Sequence, residues 1–330
     1  MRRRDLLAGG LAAISARALW AADENRMHRL AVCTATNSSF SKSNIWTLFF
    51  NRLQNMGFVE GKNVIIARYT TEGQVARYAE IARNIVQAKP DVIALDFDHR
   101  FILEVAKATS TIPIVATFGD PVAAGIAKNM GRPERNVTGV SLDAGVEMQG
   151  KHLELLRQAV PSASRFGYLS GRAEWEGAWG QAGRDASERL NVSLTGIVVE
   201  QTAGEAEYRQ AFEALTQRSV QALLVPGLPP NFENRNLIVE LALRERMPTI
   251  SWWPDLVEKG HAFLSYAPDY PFYFDLWARE VVQALNGTAP ADIPIQQATK
   301  LLLEINLNTA QAIGLHVPAT FISLADKVIE

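Results

Sequence analysis

"AKPDVIALDFDHRFILEVAKATSTIPIVATFGDPVAAGIA", Ala88–Ala127, decides the reading of this chain. Two short apolar runs, Asp91–Leu95 and Ile114–Phe118, are rich in Val, Ile and Leu and show no polar alternation, as strands buried on both faces do. Each is followed by a stretch with helical spacing, Phe101–Thr109 and Val122–Met130. Strand, helix, strand, helix at this spacing predicts a parallel sheet covered by helices on both sides. The second run stops at Gly119-Asp120-Pro121, so a buried strand ends in a bare carboxylate. Asp120 reads first as the N-cap of a helix begun by Pro121, the preferred residues for those two positions. A carboxylate has lone pairs to spare, so a cap can also touch a ligand.

The same grammar extends in both directions. Further strands are expected at Leu30–Thr34, Val64–Tyr69 and Val137–Val140, with helices at Ile45–Met56 and Val75–Ala88. A helix over Val146–Val160 stops at Pro161. Beyond it lie strand segments Arg165–Leu169, Leu194–Val199, Ala222–Val225, Thr249–Trp252 and Ala262–Ser265, and helices Trp175–Leu190, Ala206–Gln217 and Glu233–Arg246. The remainder, Pro271–Asn286 and "KLLLEINLNTAQAIGL", reads as helix, strand, helix. These are two successive α/β units of similar size. No low-complexity linker separates them, and a join through ordered segments implies a hinge between two lobes.

Composition sets the bounds. A chain of 330 residues suits two domains or one large α/β unit. The net charge of −2 offers no basic stripe for nucleic acid. One cysteine, Cys33, allows no intrachain disulfide; in the first strand it reads as a small buried hydrophobe. No internal run reaches the roughly 18 apolar residues of a membrane span. The N-terminus, "MRRRDLLAGGLAAISARALWAADE", has the grammar of an export signal over about residues 1–22. Arg3-Arg4-Asp5-Leu6-Leu7 resembles the twin-arginine consensus, and cleavage fits after Ala18 or Ala22. The competing reading is an amphipathic N-terminus retained at a membrane.

Open α/β sheets bind ligands beyond the C-terminal ends of their strands. The segments expected there are Thr36–Ser39, Asp96–Arg100, Gly119–Pro121, Ser141–Asp143, Ser170–Trp175, Pro226–Pro229, Trp252–Asp255 and Tyr266–Asp269. From them the candidate ligand-binding residues are Thr36, Ser38, Phe97, Asp98, Arg100, Gly119, Asp120, Pro121, Ser141, Arg172, Trp175, Trp252, Trp253 and Tyr266. Neighbours in a strand point to opposite faces, so at least one of Trp252 and Trp253 should face the ligand. Aromatic walls with a few polar groups suit a small organic molecule. Arg100 and Arg172 would pair with a carboxylate, and Asp120 with an ammonium or hydroxyl of the same molecule. Asp96-Phe97-Asp98-His99 does not read as a metal corner, because alternate residues diverge and no second ligand cluster accompanies it. Signatures of the common hydrolases, P-loop proteins and zinc peptidases are absent. No cofactor is expected and no catalytic residue is assigned.

Six segments carry a family resemblance: Leu53–Leu95, Ala108–Ile126 ("ATSTIPIVATFGDPVAAGI"), Asn136–Ser141 ("NVTGVS"), Gly150–Leu169, Phe263–Tyr270 ("FLSYAPDY") and Asn286–Glu330. In this order they resemble the uncharacterised-type ABC transporter substrate-binding proteins over nearly the whole mature chain. The resemblance implies a type I periplasmic binding protein: two Rossmann-like lobes joined by a hinge, closing on a ligand. One lobe would comprise 27–143 plus about 270–290, the other 144–268 plus about 291–330. It also implies a monomeric receptor in the periplasm that delivers its ligand to an ABC permease, with relatives pointing to amino acids, aromatic ones included. Gly119, Asp120, Pro121, Ser141 and Tyr266 match the family pattern. This chain departs from it after the third strand, where Asp96-Phe97-Asp98 replaces a small Gly-Thr-Pro turn. It departs again at Ser170–Trp175, where an Asn-Pro turn is usual, and at Trp252-Trp253, where Tyr-Gly is common. The competing functions are a sugar-repressor-like regulator, for which a helix-turn-helix would be needed, an α/β enzyme, and a receptor that presents its ligand to a membrane sensor kinase.

Overall fold

The computed structural model describes residues 26–330 apart from 36–39, 41–43, 97, 134, 143–144 and 201–202. The export segment lies outside the described residues. The chain forms two compact units, one reaching to Asp143 and resuming over Tyr270–Ala298, the other comprising Ala144–Asp269 and Thr299–Glu330.

The first unit opens with β1 (His28–Thr34), α1 (Asn44–Asn55), β2 (Val64–Thr70), α2 (Tyr78–Gln87), β3 (Val92–Asp96), α3 (His99–Ala108), β4 (Ile114–Phe118) and β5 (Val137–Ser141). The second unit runs through α4 (Glu147–Ala159), β6 (Arg165–Ser170), α5 (Arg172–Glu176), α6 (Ala178–Arg189), β7 (Ser193–Val198), α7 (Glu205–Gln217), β8 (Ala222–Val225), α8 (Pro229–Glu233), α9 (Arg235–Arg244), β9 (Thr249–Ser251), α10 (Pro254–Lys259) and β10 (Leu264–Pro268). The chain returns to the first unit for α11 (Tyr270–Leu285) and β11 (Gln296–Gln297). It ends in the second with β12 (Leu301–Asn306), α12 (Leu307–Ala312), α13 (Ala319–Ile322) and β13 (Lys327–Ile329).

The first sheet has six strands in the order β11-β5-β4-β3-β1-β2, all parallel. The second has seven, β13-β12-β10-β9-β8-β6-β7, parallel except for the β10–β12 pair. In the first sheet one row of side chains, Leu30, Val32, Val92, Ala94 and Val115, packs on Trp46 and Phe49 of α1 and on Phe274 and Trp277 of α11. The alternate row, Ala31, Cys33, Ile93, Leu95 and Ala116, packs on Ile81 and Ile85 of α2 and Phe101 and Val105 of α3. Both faces are covered, which is why these strands read as continuous apolar runs. Cys33 is buried, and burial pushes its thiol pKa up, as befits a small core residue.

Several boundaries differ from expectation for local reasons. The segment expected as a helix over Val122–Met130 is a series of turns. The Ala124 and Gly125 amides bond back to the Asp120 and Val122 carbonyls, and Gly125 then takes φ +69°, which turns the chain out of a right-handed helix. The single helix expected over Trp175–Leu190 is broken at Gly177 into α5 and α6. A Cβ at Gly180 would fall 2.0 Å from the Trp175 carbonyl oxygen, so the two helices meet this closely only at glycine. The helix expected over Glu233–Arg246 is α9, and a separate short α8, begun by Pro229 and Pro230, precedes it. β10 runs three residues past the expected Ser265, because antiparallel pairing with β12 sets Tyr266 opposite Leu303 and Pro268 opposite Leu301. The chain stays with the first unit to Ala298, beyond the expected return near 290, because Gln296 and Gln297 add β11 to the edge of β5.

α11 carries Glu280, fully buried, with Oε1 accepting from Gln296 Nε2 at 3.1 Å and Oε2 without a partner. Burial raises this carboxyl to a pKa of about 9, so the group is neutral at physiological pH. In the unfolded chain it ionises near 4.5. Between those values the native state holds one proton more, and stability falls as pH rises, by up to ~1.4 kcal/mol per pH unit. Glu280→Gln keeps the shape and the acceptor while removing the titration. Thermal melts from pH 5 to pH 8 should show the variant gaining on the parent as pH increases; parallel curves would show that Glu280 is not held neutral.

Candidate functional site

In the first unit the strands end in register. Thr34 of β1 lies level with Asp96 of β3, and Leu95 with Ala116, which sets Thr117 of β4 beside Asp96. Paired residues of a parallel sheet point the same way, and alternation along each strand assigns the face. Thr34, Asp96 and Thr117 continue the row of Leu30–Val32, Val92–Ala94 and Val115. Along β1, β3 and β4 the layer facing α1 and α11 is therefore apolar until its last rung and polar there. Thr117 Oγ1 donates to Asp96 Oδ1 at 3.3 Å. Tyr273, from the first turn of α11, is buried with its hydroxyl beside Thr117 and Asp96 and without a hydrogen-bond partner. Burial, with the Asp96 charge second, pushes the phenol pKa well up, so Tyr273 keeps its proton. Desolvation raises the Asp96 carboxyl to about 6, and the Thr117 bond partly offsets it.

The second unit repeats the device. Tyr168, Leu224, Ile250 and Leu264 form one register row across β6, β8, β9 and β10 and pack on α4. The rung beyond it holds Ser170, Trp252 and Tyr266. The Ser170 hydroxyl and the Tyr168 phenol are buried without hydrogen-bond partners. His152 of α4 is buried, its Nε2 2.7 Å from the Tyr266 carbonyl oxygen, which assigns the proton to Nε2. Desolvation lowers its pKa to about 4, so the ring is neutral. His152 meets Trp252 edge-on, at 5.5 Å between ring centres and 90° between planes. Gln149, one turn earlier on α4, is buried with Oε1 unpartnered. Buried polar atoms without partners are uncommon and costly in a folded protein; those of Gln149, Tyr168, Ser170 and Tyr273 lie near these strand ends, while those of His28, Arg157, Arg235, Ser265, Glu280 and Glu304 lie elsewhere.

The residues expected from sequence are placed unevenly. Thr36, Ser38 and Phe97 lie outside the described residues. Asp98 is occupied by its own unit: Oδ1 caps α3 through the Phe101 amide at 2.9 Å, and Oδ2 accepts from the Tyr78 hydroxyl at 2.8 Å. Arg100 is exposed, 3.9 Å from Asp98, and lines a groove between α2 and α3 with Leu103 and Lys107. Arg172 is exposed and paired with Glu176 and Glu200 at 3.4 and 3.5 Å, so its charge is answered locally. The two-arginine clamp for a carboxylate thus finds neither guanidinium at a strand-end rung. Asp120 accepts from the Val122 and Ala123 amides at 2.8 and 3.0 Å and caps a turn rather than a helix. Ser141 Oγ donates to the Gly119 carbonyl at 2.7 Å, which ties β5 to the Gly119–Pro121 turn. Trp175 leans on Tyr168, sits under the Arg184 guanidinium at 4.8 Å and occupies the space beside Gly196, so its ring serves the packing of its own unit.

Of the two adjacent tryptophans, Trp253 is core: it is 4% exposed and packs near Phe232. Trp252 is half-buried at the last rung, meets His152 edge-on and also packs against the cluster that holds Trp253. Tyr266 lies inside β10 rather than beyond it. Asp96 and Ser170 belong to the segments expected at the strand ends without being chosen as candidates; Thr117, Tyr273, Gln149, His152 and Tyr168, which the structure brings to the same rungs, lie outside those segments. One signal was available: Asp96 ends its apolar run as Asp120 ends the next.

Trp253→Ala should lower the unfolding free energy by about 3–5 kcal/mol, the usual cost of emptying a large aromatic site. Trp252→Ala should cost less than about 1.5 kcal/mol in the same denaturant titration. Equal losses would place both rings in the core. Tyr168→Phe and Tyr273→Phe each remove a buried hydroxyl that has no partner, so neither should lower the melting temperature of the ligand-free protein. A fall of several degrees in either would reveal a bond to that hydroxyl.

Comparison with known proteins agrees with this architecture. A tyrosine-binding protein of Clostridioides difficile (strain R20291) is 24% identical over 269 residues, 81% of this chain and 75% of the relative. An ABC domain in complex with L-Trp from Streptococcus pneumonia superposes with a TM-score of 0.78 at 21% identity, covering 92% of this chain and 99% of its own. A conserved domain protein from Vibrio cholerae gives 0.79 at 23%, covering 92% and 100%. The fold is that of the type I periplasmic binding proteins. The family model described as ABC transporter substrate binding protein matches residues 39–329. The chain belongs to the ABC transporter substrate binding protein family.

Proposed function

We propose that this chain is the exported receptor of an ABC importer and that its ligand is an amino acid with an aromatic side chain. The observation that carries the reading is the last rung of the second sheet. There a neutral His152 meets both Trp252 and Tyr266 edge-on, and on β6, two strands from β9 in the same sheet, the buried hydroxyls of Ser170 and Tyr168 have no partner. An aromatic surface with a few uncommitted hydrogen-bonding groups fits a ring-bearing ligand with polar substituents. Two similar proteins are named for aromatic amino acids, tyrosine and L-Trp, whereas less similar structures are named for 5-methylthioribose, arabinose and D-xylulofuranose. Trp252, Tyr266, Gly119, Asp120, Pro121 and Ser141 remain the proposed ligand-binding residues from the sequence, Ser141 by fixing the turn. Thr36, Ser38 and Phe97 stay with the proposal on sequence grounds alone. The permease is the proposed partner, and the periplasm the proposed location. No helix among the described residues is long and apolar enough to cross a membrane.

A thermal-shift screen followed by calorimetry should find tyrosine, tryptophan or phenylalanine among the compounds that stabilise the mature protein, since a ligand bound only by the native state raises its melting temperature. Trp252→Ala should weaken that binding by about 1–3 kcal/mol. A sugar as the only stabilising ligand, unaffected by the substitution, would overturn the reading. Export is tested separately. Replacing Arg3 and Arg4 with Lys should leave precursor in the cytoplasm, and normal appearance of mature protein in the periplasmic fraction would reject the twin-arginine route.

A further inference from the structure

We infer that Asp96 is the recognition residue for a protonated amine on the ligand, and that this receptor requires the amine and not the carboxylate of an amino acid. The inference rests on the reading of the chain as a receptor for a small organic ligand and deepens it by naming the group that is read. Asp96 stands at the C-terminal end of β3, the edge at which open α/β sheets bind ligands. It is half-buried in the last rung of the α1- and α11-facing layer, between Thr34 and Thr117, both fully buried. Among the described residues its one side-chain hydrogen bond is the 3.3 Å contact from Thr117. Among the described residues no ion pair includes Asp96, and no cationic group perturbs it. The other ionisable side chains gathered there, Tyr273, Tyr270 and Glu280 of α11, are phenols and a carboxyl held neutral by burial.

A carboxylate taken partly out of water with one weak donor and no countercharge is destabilising, and such groups persist where function needs them. The chemistry that completes it is a cation with hydrogens to donate. A ligand ammonium offers three, enough for Asp96 and for an acceptor beside it. Tyr273 fits the same account. Its hydroxyl is buried and without a partner beside Asp96, available as donor or acceptor to a group that seats there. The alternative charge complement finds no counterpart in these rungs. The two arginines expected to take a carboxylate are exposed and stand by carboxylates of their own units.

The test is calorimetry with matched aromatic probes: tyrosine and tryptophan, the decarboxylated amines tyramine and tryptamine, and the deaminated acids 3-(4-hydroxyphenyl)propionate and indole-3-propionate. The parent should bind the amino acids and the amines, and bind the acids at least about 30-fold more weakly, as expected when a buried charge is left without its partner. Asp96→Asn is isosteric and keeps the oxygen that Thr117 reaches. It should lose amino-acid and amine binding by a similar factor. Its ligand-free melting temperature should be equal to or above the parent's at pH 7.5, because the desolvated charge is gone. Lost binding together with a lower melting temperature would make Asp96 a structural group and overturn the inference. So would acids that bind as tightly as the amino acids, or unchanged amino-acid binding by Asp96→Asn. If a non-aromatic amine from a wider panel binds, aromatic compounds do not, and Asp96→Asn abolishes that binding, the inference stands and the aromatic reading of the ligand fails. If the aromatic acids bind parent and variant alike, the aromatic reading stands and the inference fails.

Discussion

Coverage of each parallel sheet on both faces is the constraint from which the rest of this molecule follows. A strand flanked by helices on both sides has no solvent face, so each of its side chains must be apolar or find a partner inside the protein. At the last rung the side chains stay wholly or partly buried but turn polar or aromatic. Here the two sheets change composition together. Thr34, Asp96 and Thr117 close the first, and Ser170, Trp252 and Tyr266 close the second. Elsewhere some buried polar groups serve the fold: Thr138 reaches the Ile293 carbonyl, and Asn231 ties the Leu169 and Pro226 carbonyls together, while others, Glu280 among them, keep an unpartnered atom. At these rungs several buried polar atoms have no partner at all.

Covering the first sheet requires the chain to leave the unit and return. α11 begins more than a hundred residues after β5 ends, yet Trp277 is fully buried and its Nε1 donates to the Val115 carbonyl at 3.1 Å. Its ring lies in a cluster with Trp46, Phe49 and Phe274. Without this helix the row Leu30, Val32, Val92, Ala94 and Val115 would have α1 alone for cover. The same return places Tyr273 at the last rung, so one long-range packing event supplies both the core's closing layer and a component of the candidate site. The second unit makes the complementary arrangement with α4, whose outer turns pack the sheet while Gln149 and His152 sit near its strand ends.

Much of the fold was legible in the sequence. Continuous β-branched runs reveal strands buried on both faces, and the 3.6-residue spacing between them reveals their helices. Ten strands could be read within a few residues, the inner ones because burial on two faces leaves little compositional freedom. The errors fell where local signals compete. Asp120-Pro121 is a strong helix start, but Gly125 and the turn bonds prevail. The Trp175–Leu190 periodicity continues across Gly177, where the chain breaks. β10 outlasts its apolar run because β12, forty residues on, supplies the partner for its backbone.

The site was less legible, and the paired aspartates show why. Asp96 and Asp120 each end an apolar strand and look equivalent in sequence, yet Asp120 spends an oxygen on two backbone amides of its own turn, while Asp96 lies between two threonines beneath a phenol from α11. Trp252 and Trp253 divide in the same way: alternation requires them to part, and only packing on α4 or against Phe232 decides which becomes core. Sequence alone determined the class of fold, because hydrophobic periodicity reveals alternating strands and helices, while the discontinuous two-unit order came from the family resemblance and the edge at which a ligand is expected from chain direction. Tertiary structure alone decided which charged and aromatic side chains at that edge are spent on capping, ion pairs and packing and which are left uncommitted, because hydrogen-bond satisfaction depends on neighbours brought in from distant parts of the chain.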